Sequence, residues 1–261
     1  MIVLPAVAPP LPRENKWKRD LTPADALRWL ADGWHDFRVH MGASLAYGVL
    51  VFLVSLGIVG GLFAYGHDYI LFPALAGFMV VGPILAVGLY EKSRRIMAGE
   101  PVSLLRMIFV RPASGPQILF TGLLLCLLML TWMRAAIIVY ALFFGVTPFP
   151  GLDHVAEMLF TTPTGWAMLV VGGAVGALFA SFSFAISAFS IPMMLTERVD
   201  ALTAMGSSFA LVGSNLPVML TWGAIVLALF LLSVATGLIG LIIVFPLLGH
   251  GTWHAYKAMK P

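Results

Sequence analysis

The chain has 261 residues, 60% of them hydrophobic and only 10% charged, with a mean hydropathy of +0.97; this excludes an ordinary water-soluble globular domain. Its formal charge is +3 and its pI is near 9.2, but the Lys and Arg residues sit at the ends of apolar runs and form no basic domain, which argues against nucleic acid as a partner. Cys126 is the single cysteine, so an internal disulfide and a thiolate metal cluster are both excluded.

Residues 1–21 lack the basic head, apolar stretch and small-residue cleavage site of a signal peptide, and are expected to form a cytoplasmic tail. Residues 22–41 read as an amphipathic helix. Thr22 is a natural N-cap, Pro23 suits the first helical position, and Asp25 places an acid where the helix dipole favours one. Leu27, Leu30, Trp34, Phe37 and Met41 then recur at spacings of 3 and 4, opposite Arg28, Asp32 and His35. This stripe predicts a helix lying in the membrane surface.

Residues 42–261 hold six apolar stretches long enough to cross a bilayer: about 43–64, 70–89, 117–142, 166–195, 216–235 and 238–256. Only Thr236, Gly237 and Gly240 separate the last two, but a single helix over both would be about 60 Å long, twice the bilayer core. Fourteen of the fifteen basic residues fall at one end of these spans. Lys and Arg are retained on the cytoplasmic side during insertion, so both termini are expected in the cytoplasm of a bacterial inner membrane.

Internal repetition is present. A shift of 175 residues superposes Asp25-Ala26-Leu27 on Asp200-Ala201-Leu202 and Gly48 on Gly223. A weaker third copy lies at Val102–Val110. Pro83, Pro192 and Pro246 each stand a few residues before the cytoplasmic end of an even-numbered span and are expected to bend it. The fold expected is all-α: a polytopic bundle of about six membrane helices in three tandem units, each an interfacial helix plus a helical hairpin. Gly57 and Gly61 in the first span, and Gly172 and Gly176 in the fourth, form small faces for close helix contact, chiefly within the chain.

Few residues suggest chemistry. Arg134 is the only charge inside the stretches above, near their outer end, and is either an anchor that snorkels or pairs with Asp68, Asp153 or Glu157, or a functional charge. His250 and His254 are four apart on one helical face, and with His35 and His40 a metal or haem site can be drawn at the cytoplasmic end. The plain alternative is a polar and aromatic helix end shared with Trp253 and Tyr256. No phosphate-binding loop, dinucleotide fingerprint, HExxH or buried acid is present, so no catalytic residue is assigned.

The stretches Asp25–Leu30 with Gly33–Asp36, Ser44–Gly48, and Phe245–His250 with Trp253–Tyr256 resemble a family of predicted bacterial integral membrane proteins, the domain of unknown function 2189. Some members carry the label of cytochrome c oxidase subunit. That label implies no haem-copper core here, since the spans hold no histidine at mid-membrane. The resemblance implies an accessory, assembly or structural partner of a membrane complex, respiratory included. The alternatives are a small-solute transporter, suggested by the repeated units and prolines, and a metal- or haem-binding protein using His250 and His254.

Overall fold

A computed structural model describes residues 15–145 and 151–260, and everything it describes outside the links is helical. The first fourteen residues of the expected tail lie outside the described part. Residues 15–21 lie along the protein: the Arg19 guanidinium donates to the Met259 carbonyl at 3.0 Å, and the Arg19 backbone N–H donates to Asn215 at 2.7 Å.

Twelve helices follow in the described residues: α1 (Pro23–Arg38), α2 (Met41–Ala64), α3 (Leu71–Leu85), α4 (Val87–Met97), α5 (Leu104–Ile108), α6 (Gly115–Phe144), α7 (Leu152–Thr161), α8 (Pro163–Ser187), α9 (Ser190–Thr196), α10 (Ala201–Ser214), α11 (Leu216–Ala235) and α12 (Leu241–Met259). Local chemistry sets several starts. The Asp25 carboxylate accepts from the Thr22 N–H and hydroxyl, both at 2.8 Å, and Asp200 caps α10 by accepting from the Thr203 N–H at 2.9 Å. Both caps satisfy donors that have no helical partner. The repeat expected from the sequence thus appears as α1–α2 and α10–α11, whereas its third copy, α5, has only five residues.

Five helical segments are long and apolar enough to cross a membrane: Met41–Ala64, Asp68–Met97, Gly115–Phe144, Pro163–Thr196 and Leu216–Ala235. The sixth expected span forms α12, but it is not among them. Its second half carries His250, Thr252, His254 and Lys257, and Trp253, Ala255, Tyr256 and Met259 are buried in protein. α12 packs chiefly against α1, α2 and α4. Gly48 lies so close against the Ile242 carbonyl that a Cβ there would overlap it. Ile242 stands four residues before Pro246 and so lacks its helical N–H donor, and the bare Cα of Gly48 covers that orphaned oxygen. α12 therefore begins level with the first third of α2. The sixteen residues of α2 after Gly48, about 24 Å of helix, continue past it.

The prolines act unequally. Ala86 breaks the helix three residues after Pro83, and Ala188 and Phe189 break it just before Pro192, where the ring would strike the carbonyl four residues back. α12 runs unbroken through Pro246. The two glycine pairs also divide. Gly176 meets the Trp132 ring and Gly172 meets Val139, both on α6, whereas Gly57 and Gly61 on α2 face open space, against the expectation of packing within the chain.

Candidate functional site

The main core gathers at the end of the bundle that carries most of the basic residues. α1 reaches it by a face that leaves most of the apolar stripe outward. Ala26, Trp29, Gly33, Asp36 and Phe37 are buried, while Leu27, Trp34 and Met41 of the expected interfacial stripe are 60%, 43% and 41% exposed and Leu30 is half-buried. Only Phe37 of that stripe turns fully inward. The reason is steric: Gly33 crosses α12 where a Cβ would come within 2.6 Å of the Gly251 nitrogen, so the closest face of α1 must be its small one.

This crossing places six side chains from four helices in one buried polar chain. Lys92 on α4, fully buried, donates to the Ser44 hydroxyl at 2.7 Å and reaches the His40 carbonyl at 3.5 Å. Ser44 and the His250 Nε2 are 3.0 Å apart, and the His250 Nδ1 and Ser93 are 2.8 Å apart. The Asp36 carboxylate adjoins this line and lies 2.9 Å from the His254 Nε2. Donor chemistry orients the Lys92 end. An ammonium only donates, so the Ser44 hydroxyl accepts from Lys92 and keeps its own hydrogen to offer to the His250 Nε2. Burial pushes the Asp36 carboxyl up, but the hydrogen bonds from His254 and Ser93 outweigh it and leave the group below its ordinary value.

Lys92 and Asp36 thus stand as opposite charges at the two ends of a buried polar line, in which each member has a partner. A second cluster closes the same end: Glu197 accepts from the Tyr256 hydroxyl at 3.0 Å and from Lys260 at 2.8 Å.

The four-histidine arrangement drawn from the sequence does not assemble. His250 spends both ring nitrogens on serines, His254 faces Asp36, His40 is exposed and contributes its carbonyl, and the His35 side chain is 76% exposed. Among the described residues no three His, Cys, Asp or Glu side chains are placed to hold a metal ion. Arg134 is exposed on α6, and among the described residues no ion pair joins it to Asp68 or Glu157. The Asp153 side chain lies outside them. Lys92 and Ser93 escaped the sequence reading because the second span was ended at Leu89, whereas the helix runs on to Met97. A legible signal existed for the others, since Asp36, Ser44, His250 and His254 all fall in the three family-like stretches.

Helices of this length, closing their backbone hydrogen bonds internally and turning apolar side chains outward, define an integral, multi-pass membrane protein associated with the lipid bilayer. The model of a family described as predicted integral membrane protein, the domain of unknown function 2189, matches residues 71–196, and it is the family that the sequence resembles. No curated protein and no solved structure matches the chain. The matched segment runs from α3 to α9 and holds Lys92 and Ser93, but not α1, α2 or α12, where the other four network residues lie.

Proposed function

We propose that the protein is a non-enzymatic partner subunit of a larger membrane complex, a respiratory one included, seated in a bacterial inner membrane with its basic end in the cytoplasm. One observation carries this reading. α2 is joined to the rest of the chain mainly through α12 at its first third, and it has the smallest buried share of the five crossing segments, 11%. Beyond that joint, Gly57, Gly60 and Gly61 have open space at their Cβ positions. Lipid gives apolar helices no hydrophobic reason to associate, so membrane helices join where small residues let backbones approach. A partner helix would find such a face on α2.

A small-solute transporter is less well supported, because it calls for a polar cavity at mid-depth. The groove between α2 and α3, about 500 Å³, is lined by Val51, Ile58, Leu75 and Phe78, and the larger cavity under α7, about 1040 Å³, lies toward the opposite end and is also mainly apolar.

Purification of the tagged protein in mild detergent tests the proposal. A stoichiometric co-eluting membrane protein is expected, and it should be lost from the Gly57→Leu/Gly61→Leu variant while the thermal midpoint of the subunit stays unchanged. Repeated isolation of the chain by itself, or with only a second copy of itself, overturns the reading.

A further inference from the structure

We propose that the basic end carries a binding site for a phosphate group, and that the headgroup of an anionic phospholipid fills it. The site is a cavity of about 820 Å³ between α4, α5, the link to α6 and the end of α9, lined by Arg94, Arg95, Arg106 and Arg111 with one carboxylate, Glu91. Its floor is fixed by backbone: the Ala113 and Ser114 N–H groups donate to the Leu195 and Met194 carbonyls, each at 3.0 Å, so the link is tied to the last turn of α9.

The four arginines are not equivalent. Arg94 holds Glu91 through two nitrogens at 2.7 and 3.0 Å, Arg95 holds it at 2.6 Å, and both reach Glu100 at 3.1 Å. That pairing neutralises two guanidiniums and holds them in place. Arg106 and Arg111 are exposed, and no carboxylate lies within ion-pair distance of either among the described residues. The group of four arginines and two glutamates keeps a charge of 4 − 2 = +2, with planar donors suited to a phosphate.

The rim selects the source of that phosphate. Leu105 and Phe109 flank Arg106 and are 68% and 74% exposed. The Arg106 guanidinium donates to the Pro101 carbonyl at 3.1 Å, which aims it without neutralising it, and large apolar side chains beside cations that lack an ion pair match the boundary between acyl chains and headgroups, where both find a partner at once. Free phosphate in water would leave Leu105 and Phe109 without a role. The inference does not depend on the partner subunit proposed above.

The test uses the full chain in nanodiscs of phosphatidylcholine, with and without phosphatidylglycerol, reading retained lipid by native mass spectrometry and stability by thermal midpoint. The wild type should retain phosphatidylglycerol. The Arg106→Gln/Arg111→Gln variant should bind it roughly thirty-fold more weakly, at about 1 kcal/mol for each basic residue near the surface, with an unchanged midpoint in phosphatidylcholine alone. Lys18→Gln/Lys257→Gln removes the same charge from the same end and should leave binding unaltered. Equal retention by the arginine variant, or an equal loss in the lysine control, overturns the site. Inorganic phosphate raising the midpoint in phosphatidylcholine as far as phosphatidylglycerol does overturns the lipid source.

Discussion

Asp36 is the residue whose placement demands most of its neighbours, because it is an acid 2% exposed inside a membrane protein. Its folded value is depressed from an ordinary value near 3.8, so the stability it contributes is present above that pH and is lost as pH falls through the lower folded value. Thermal midpoints in detergent should therefore drop on acidification below about pH 4, and Asp36→Asn should lower the neutral-pH midpoint while flattening that acid limb. Lys92 at the far end of the line makes a second prediction. Removing either charge leaves the other buried without its counterpart, so the Asp36→Asn/Lys92→Met pair should cost about 1–2 kcal/mol less than the sum of the single changes in a double-mutant cycle. Glycines give a third contrast at this scale. Gly33→Ala should cost about 2 kcal/mol, since backbone atoms of α12 fill the space its Cβ needs, while Gly57→Ala should cost nothing measurable in the isolated chain.

Among the elements, α1 separates what periodicity can tell from what it cannot. The spacing of Leu27, Leu30 and Trp34 and the Thr22-Pro23 start located the helix and its first residue, but the helix stops at Arg38, and Met41 opens α2 after a left-handed His40. Hydrophobicity pointed that stripe toward the membrane surface and said nothing of the face that meets α12, which is built on Gly33 and Ala26 with an acid at its edge. Phe37→Ala should lower stability by about 3 kcal/mol in detergent, whereas Leu27→Ser and Trp34→Ser, on the outward face, should each shift it by less than about 0.5 kcal/mol. α12 shows the reverse case. Its apolar first half looks like a membrane span, and its His, Trp and Tyr second half looks like a helix end, but both halves pack on protein.

Across the whole molecule, thirteen of the basic residues among those described fall at one end, and the same end holds the core, the charged network and the arginine cavity. In a Cys126→Ser background, a maleimide unable to cross membranes should label Tyr65→Cys in intact cells and leave Ala98→Cys untouched until the membrane is opened; equal labelling refutes the proposed orientation. Composition and run length were enough to fix a polytopic all-α membrane protein, because the cost of placing polar backbone and charge in lipid acts on every residue and leaves its mark locally. The open glycine face of α2 and the meeting of Asp36, Lys92 and His250 were decided only by tertiary structure. Those features depend on which helix surfaces touch, and contacts between residues some fifty to two hundred positions apart leave no periodic signal in the chain that makes them.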